Sequence, residues 1–420
     1  MKILIVGISV RAMAESAIHS SYSVIAVDAF GDRDLKALAE AYSLNHDFHT
    51  RYSAGALYKA GRRLDCDAVA YTSNLENHPE ILERFAEGQR IIGNSPQVIE
   101  SVRSWPVLFS KLRSAGFSVP ETIFTGEERL IDPDRRWLVK PVLSGGGQGI
   151  AFLDPGIQRS SKKANECGIP GFMLQEYIAG KPCSASFVAN GDECVVLGIT
   201  LQLIGEDEFG SRDFRYCGNI LPLPEMLNPE TGRIILEQLY RLSKFVTQEY
   251  GLTGVNGIDF ILSGDRVHLT EINPRYSASM ELIEQAYKLP VFHLHMRAVL
   301  HGELPAFNLE AKLKSSEFFG KAILFAERDS ITPDTEDWHA KGIRDVPTTG
   351  EMVRKSSPIC TILANRQTYR ETFAQLIRKA KVLKEEIYDQ AEFNPDYRTF
   401  YPTRHRNLDW KRIPRISGSH

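Results

Sequence analysis

With 420 residues, the chain is long enough for two or three units of about 150 residues each. Hydrophobic residues at 43% and charged residues at 25% place it among ordinary globular proteins. A formal net charge of −3 gives no electrostatic reason to expect nucleic acid or an anionic membrane as a partner. No stretch reaches the ~20 apolar residues of a bilayer span.

The opening KILIV, RAMAESAIHS and SVIAVD alternate a short apolar run, a helical pattern and a second apolar run, which is a βαβ unit and hence a parallel sheet. DLKALAEAYS reads as helix, CDAVAY as strand, ENHPEILERFAEG as helix and RIIGN as strand, so residues 1–97 read as a small doubly wound domain. VIESVRSWPVLFSKLRSAG reads as one helix closed by Gly116. From WLVKPV onward the pattern turns to strands: FMLQEYIAG, SASFVANGDECVVLGITLQL and FRYCGNILPLP are separated by Gly, Asn-Gly or Pro signals. TGRIILEQLYRLSKFVTQEYGL is an amphipathic helix ended by Gly251, and GVNGIDFILSG and RVHLTEIN are two strands joined by a Ser-Gly-Asp turn. SASMELIEQAYKLPVFHLHMRAVLHGEL is helical and broken near Pro290, closing a second unit over 98–305. FGKAILFA, ICTILAN and the charged helix TYRETFAQLIRKAKVLKEEIYDQ make a small α+β section over 306–400. The aromatic, basic tail from Phe393, with 401–420 as its last part, is expected on the surface.

Six cysteines include no CxxC pair, so neither zinc nor a redox pair is signalled and a reducing cytoplasm is expected. MKILIVGISVRAMAESA has too short an apolar run for a secretory leader.

Two stretches carry chemistry. VKPVLSGGGQGI sets Lys140 at the end of a strand, followed by Gly145, Gly146, Gly147 and Gly149. Backbone N–H groups bare of side chains can converge on phosphate oxygens, and the lysine supplies a cation. No GK[ST] follows, and IAFLDP reads as strand, so the unit is a hairpin able to fold over a nucleotide and not a Walker loop. A ligand-free hairpin tip reads equally well from the glycines alone. The second stretch decides between the two. Glu271 and Asn273 share a face of one strand, and the turn at Ser263 to Asp265 lets Asp259 sit across from them. Two carboxylates and an amide oxygen are hard ligands that suit Mg²⁺ bound to substrate phosphates. A solvent-facing strand edge is the plainer alternative. Against it, carboxylates among Ile, Phe and Leu are costly to bury unless they are paired or hold metal.

In this order and spacing, VKPVLSGGGQGI, LQEYIAG, GVNGIDFIL and VHLTEINPR resemble the ATP-grasp superfamily over roughly residues 100 to 305. KSSPICTILANRQTYRETFAQLIRKA is similar to the C-terminal subdomain of biotin carboxylase-like members, and GISVRAMAESA with VDAFGDRDL resembles a branch of predicted ATP-dependent carboligases. The resemblance implies an α/β chain: a doubly wound pre-ATP-grasp domain, a two-lobed α+β ATP-grasp core and a small C-terminal α+β subdomain. It implies that Lys140 contacts the α- and β-phosphates and that Gly145, Gly146, Gly147 and Gly149 cover the triphosphate. Gln175, Glu176, Tyr177 and Ile178 would hold adenine. Asp259, Glu271 and Asn273 would hold magnesium, or manganese in its place, and Arg275 would stand beside the transferred phosphate. The implied reaction is ATP-dependent activation of a small-molecule carboxylate as an acyl phosphate, captured by an amine. Dimers are common in the superfamily, so a homodimer is an expected assembly.

The chain departs from the family pattern in three places. Trp105 stands where a lysine or arginine is usual, with Arg103 two residues earlier as its substitute. Pro182 and Cys183 stand near the usual ribose-binding glutamate. RYSASMEL replaces the Gln-Val-Glu-His stretch with which biotin carboxylases handle bicarbonate. A bicarbonate-using carboxylase and an inactive nucleotide-binding subunit remain as alternatives. An oxidoreductase has less support: Gly7 and Asp28 suit a dinucleotide site, but GISVRA has one glycine of the three needed. Arg215 is a candidate for the acyl phosphate or a substrate carboxylate, with Tyr216 beside it; an exposed strand pair is the alternative. His293 and His295 fall on different helix faces and are expected at the edge of the core. RKAKVLKEE reads as a solvated helix face, and Cys66, Cys194 and Cys217 as inert packing residues in apolar strands.

Overall fold

Short apolar runs punctuated by glycines and polar turns build the first sheet. The computed structural model describes all residues except 126, 128–130, 155–170, 314–316 and 393–420, so the tail expected from Phe393 lies outside the described residues. Strands Lys2–Val6, Ser23–Asp28, Glu40–Ser43, Ala68–Tyr71 and Arg90–Ile92 are parallel, with Lys2–Val6 between Ser23–Asp28 and Ala68–Tyr71. Ile3, Leu4, Ile5 and Val6 are all buried, because helices cover both faces of a parallel sheet and the strand must be apolar throughout.

Three local expectations are corrected. DLKALAEAYS is not one helix: Arg33–Leu38 is helical, Ala39 is extended, and Glu40–Ser43 pairs with strand Ser23–Asp28 as the edge of the sheet. The ladder bonds, with Ser43 Oγ donating to Ala29 O, outweigh the helix propensity of Ala and Glu. Residues 98–116 are not one helix either but lie in two, Pro96–Arg103 and Trp105–Ser114. Pro106 has no N–H to continue the first helix and instead sits in the first turn of the second. Cys66 lies in the turn before Ala68–Tyr71 and is half-buried, whereas Cys194 and Cys217 are buried within strands.

A four-stranded antiparallel sheet joins Thr122–Phe124, Phe172–Glu176, Trp137–Pro141 and Ala151–Phe152 in that spatial order. The larger, eight-stranded sheet runs Arg266–Asn273, Thr253–Ser263, Lys181–Asn190, Cys194–Ile204, Tyr216–Leu221, Phe318–Phe325, Pro358–Arg366 and Ile343–Arg344. It is therefore continuous across residue 306, through the pairing of Tyr216–Leu221 with Phe318–Phe325. Helix Pro229–Tyr250 packs on this sheet. Asn228 caps it by accepting from Glu230 N and Thr231 N, and Gly251 ends it at φ 67°, where a side chain would be strained. Its buried Ile235, Leu239, Leu242 and Val246 recur at helical spacing, each contributing about 1.5–3 kcal/mol by leaving water.

A buried ion cluster joins the parts. Arg11, at the start of helix Arg11–His19, donates to Glu281 at 2.5 Å and to Asp345 at 3.0 Å, and Lys321 reaches the other oxygen of Glu281 at 2.5 Å. Among the described residues no helix is long and apolar enough to cross a membrane.

Candidate active site

Asp259 and Glu271 are direct register partners on antiparallel strands, and Asn273 stands opposite Gly257. The register then skips Thr270, a bulge that turns the Thr270 carbonyl toward Lys140 Nζ at 3.5 Å while its Oγ1 donates to Asp259 O at 3.0 Å. Asp259 accepts from Gln202 Nε2 and Asn273 Nδ2, both at 3.0 Å. Glu271 accepts from Arg103 at 2.7 Å. Arg275 donates to Asn273 Oδ1 at 3.1 Å and, through Nε, to Glu76 Oε1 at 2.8 Å. Among the described residues no three His, Cys, Asp or Glu side chains converge, so this is a set of two carboxylates and an amide.

The electrostatics of the two carboxylates differ. Burial and the facing Glu271 charge push the Asp259 carboxyl up to about 6. Burial pushes Glu271 the same way, but Arg103 and Lys140 outweigh it and hold its carboxyl below the usual range. Burial pulls the Lys140 ammonium down while Glu271 pushes it back. The result is a half-buried, mixed-charge set in which Asp259 has no ion pair of its own among the described residues. Hard oxygen donors that repel one another fit a divalent cation better than they fit each other.

Glycine conformation shapes the loop above. Gly146 and Gly147 lie at φ +61° and +73°, and a Cβ on Gly147 would stand 1.8 Å from Phe214 O. Gly146 O accepts from Tyr216 N at 3.0 Å, so the loop rests on the segment before strand Tyr216–Leu221. Asn77 Nδ2 reaches Ser144 O at 3.5 Å from the other side. In the hinge, Gln175 donates to Thr122 Oγ1 at 3.4 Å, and Glu176 forms an ion pair with Arg135 at 3.1 Å. The Tyr177 ring meets Phe152 at 5.2 Å and lies under Arg136 at 4.7 Å. The amides of Glu176 and Tyr177 already donate to Glu121 O and Arg136 O, so they are committed within the protein. Ile178 follows, half-buried, just past the strand.

Arg215 donates to Ser356 O at 3.0 Å and lies 5.0 Å from the Phe325 ring, while its Cα backs the glycine loop, 3.4 Å from where a Cβ on Gly147 would stand. Tyr216 beside it is half-buried, its hydroxyl bonded to Asn219. His295 is fully in the core: its Nδ1 accepts from Val255 N at 2.9 Å, which leaves the proton on Nε2, 3.2 Å from Ile92 O. His293 meets the Tyr22 hydroxyl at 3.0 Å.

Sequence reasoning missed Glu76, Asn77 and Gln202. Glu76 and Asn77 sit in a short helical turn of the first unit, where Glu76 pairs with Arg275 and Asn77 Oδ1 accepts from Arg103 at 2.5 Å. Arg103 lies 4.6 Å above Trp105, whose ring is also 5.3 Å from Lys140 Nζ, so the tryptophan forms an apolar wall between two cations. The only sequence signal for this pair was Arg103 itself.

A family model described as the ATP-grasp domain matches residues 107–279, which hold the glycine loop, the hinge and the paired carboxylates. Residues 107–279 are thus similar to ATP-grasp domains. An uncharacterized protein of Methanocaldococcus jannaschii is 24% identical over 374 residues, 87% of this chain and 88% of that one. The D-alanine–D-alanine ligase of Petrotoga mobilis is 25% identical over 173 residues, 40% of this chain and 55% of its own length. The biotin carboxylase domain of Hydrogenobacter thermophilus 2-oxoglutarate carboxylase, solved as a dimer with MgADP and bicarbonate, superposes with a TM-score of 0.65 at 16% identity, covering 90% of this chain and 89% of that one. The chain thus has the α/β fold of biotin carboxylase-like ATP-grasp proteins: a parallel first sheet followed by antiparallel sheets.

Proposed function

We propose that the protein is an ATP-dependent ligase that joins a small carboxylic acid to an amine. The observation that carries this reading is the half-buried Asp259–Glu271 pair with Asn273, ringed by Lys140, Arg103 and Arg275 inside a stretch that matches the ATP-grasp domain. Asp259, Glu271 and Asn273 would hold Mg²⁺ or Mn²⁺. When bound, the ion supplies charge neutralisation for the phosphate oxygens.

In the first step a carboxylate oxygen of the acid attacks the γ-phosphorus of ATP. An O–P bond forms, the bond to the β-phosphate oxygen breaks, and ADP leaves. Lys140, held between Glu271 and the Trp105 wall, offers its ammonium to the α- and β-phosphates. The glycine loop covers the triphosphate with unobstructed backbone, and Gln175 to Ile178 line the adenine. Arg275, clamped by Glu76, offers its guanidinium to the phosphoryl group in transfer. In the second step the amine attacks the acyl carbon, a C–N bond forms, the C–O bond breaks, and phosphate departs as the nitrogen loses a proton. No side-chain nucleophile is needed, because positioning and charge neutralisation carry the step.

The same reading has the protein working in the cytoplasm as a homodimer, with ATP, an acid and an amine as its partners. The five described cysteines, all free, support a reducing location, and the dimeric carboxylase neighbour supports the assembly. The experiment is an ADP-release screen of carboxylates paired with amino acids, with hydroxylamine as a trap for acyl phosphate. One acid that raises ADP release and yields a hydroxamate supports ligation. ATP binding with no acid-stimulated ADP release would sink it in favour of an inactive nucleotide-binding subunit. Release stimulated only by bicarbonate would move it to the carboxylases.

A further inference from the structure

At the opposite end of the eight-stranded sheet from Asp259, the final helix Tyr369–Glu392 lies over strand Pro358–Arg366. Between helix and strand is a cavity of about 470 Å³, within the range of small-molecule sites. Its floor is apolar: Ile343, Ile362 and Leu383 are buried, and Val382 completes it while 61% exposed. Its rim is cationic, with Lys341, Arg366, Arg378 and Lys379.

These cations are poorly neutralised. Lys341 pairs with Asp337 at 2.8 Å. Lys379 donates to a neutral partner, Leu363 O, at 2.7 Å, and Arg366 to its neighbour's carbonyl, Asn365 O, also at 2.7 Å. Among the described residues Arg366, Arg378 and Lys379 have no carboxylate in ion-pair range. The one carboxylate in the lining, Glu386, accepts from Trp338 Nε1 at 3.0 Å. Burial, then the charges of Arg366 and Arg344, hold the Lys379 ammonium below its usual range. The Gln375 Oε1 atom in the wall is out of solvent and has no donor among the described residues.

Cations crowded over an apolar floor raise the local concentration of anions and bind them more strongly than they would in open water. Arginine forks match the geometry of carboxylate and phosphate oxygens. The unmet acceptor on Gln375 asks for an N–H or O–H on the same ligand.

We infer that this cavity is a second ligand site, taking a small organic anion with an apolar body and one hydrogen-bond donor. It is separate from the ATP-grasp site. Strands Phe318–Phe325, Tyr216–Leu221, Cys194–Ile204 and Lys181–Asn190 lie between strand Pro358–Arg366 and the strand that bears Asp259. Its occupant carries a carboxylate, sulfonate or phosphate monoester, and an acidic protein segment is the competing occupant that the experiment separates.

The test uses the full chain saturated with MgADP, so that the nucleotide site is filled, and titrates 8-anilinonaphthalene-1-sulfonate, which has a sulfonate, an apolar body and an N–H. Saturable binding of one equivalent is expected. The double variant Arg378→Ala with Lys379→Met and the single variant Val382→Asp should each weaken it about tenfold or more, with melting and basal ADP release unchanged. Phenyl phosphate should displace the probe at lower concentration than inorganic phosphate, because the floor rewards the ring. Arg378 and Val382 are exposed, so their replacement leaves the core intact. Probe affinity unchanged within twofold in both variants would overturn the inference. So would displacement by an acidic peptide but not by phenyl phosphate.

Discussion

Two buried clusters in this molecule hold carboxylates among cations, and they handle them in opposite ways. Glu281 receives Arg11 on one oxygen and Lys321 on the other, each at 2.5 Å, and its carboxyl is held well below the usual range despite complete burial. Asp259 receives neutral donors, the amides of Gln202 and Asn273 and the Ser184 hydroxyl, faces a second carboxylate, and is pushed up to about 6. In the first cluster the carboxylate is closed off: each oxygen of Glu281 meets a cation, and the result is a clamp between the first sheet's helix, helix Met280–Tyr287 and strand Phe318–Phe325. The second is open at Asp259, which has no ion pair of its own among the described residues. A carboxylate left without a cation is what a divalent ion would fit.

The comparison breaks most sharply at Glu271. Glu271→Gln removes a charge the open cluster needs for its ion, and acid-stimulated ADP release should fall by about 10³-fold. Melting should fall modestly, because Arg103 and Lys140 lose their counter-charge while the repulsion on Asp259 is relieved. Loss of fold in this variant would mean that Glu271 belongs to a clamp after all. In the closed cluster the signs reverse. Glu281→Gln strands Arg11 and Lys321 in the interior and should destabilise by about 3–5 kcal/mol, the usual consequence of breaking a buried pair from one side. Adding Lys321→Met should restore part of that. A denaturant titration of the single and double variants reads the coupling directly, and strict additivity would show that the pair does not act as a unit.

A third way to bury an ionisable group is to keep it neutral, as the fold does with His295. Burial pulls its imidazole down to about 4, and the Val255 amide occupies the nitrogen a second proton would need. An unfolded histidine takes up its proton near 6.5 and the folded one only near 4, so between those values the unfolded chain binds more protons. The contribution is complete above pH 6.5 and is lost as pH falls toward 4, on the order of 3 kcal/mol. His295→Gln should be less stable at pH 7 and flatter across pH 6.5 to 4. A variant as steep as the parent in that window would assign the slope to other groups.

The open cluster was easier to read in the sequence than the closed one, for a reason of chain distance. Asp259 and Glu271 are separated by one turn, and strand periodicity alone puts them face to face. Helix Pro229–Tyr250 was equally plain, with its apolar stripe and terminal Gly251. Gln202 and Glu76 join that site from 57 and 199 residues away and Asn77 meets Arg103 across 26, and no local pattern announces a partner at such ranges. The Arg11–Asp345 contact spans 334 residues and was equally invisible. Edge strand Glu40–Ser43 and the break at Ser104 failed for local reasons: ladder pairing overrode propensity in one, and Pro106 restarted the helix in the other.

The smallest expected effect lies in the loop that closes the open cluster. Gly147→Ala would set a methyl 1.8 Å from Phe214 O at a φ of +73°, so the loop must lift from the segment it rests on. The change is confined to a loop, so melting should change by less than about 1 kcal/mol, the scale of a glycine-to-alanine change on a surface loop. The KM for ATP should rise about tenfold with a smaller change in kcat, because a displaced loop weakens the hold on the triphosphate before and during transfer alike. Gly145→Ala, where a Cβ meets nothing within 4 Å, is the matched control and should leave both constants near the parent values. If the two variants behave identically, contact with Phe214 is not what positions the loop. The open cluster would then be covered only when nucleotide draws the loop down.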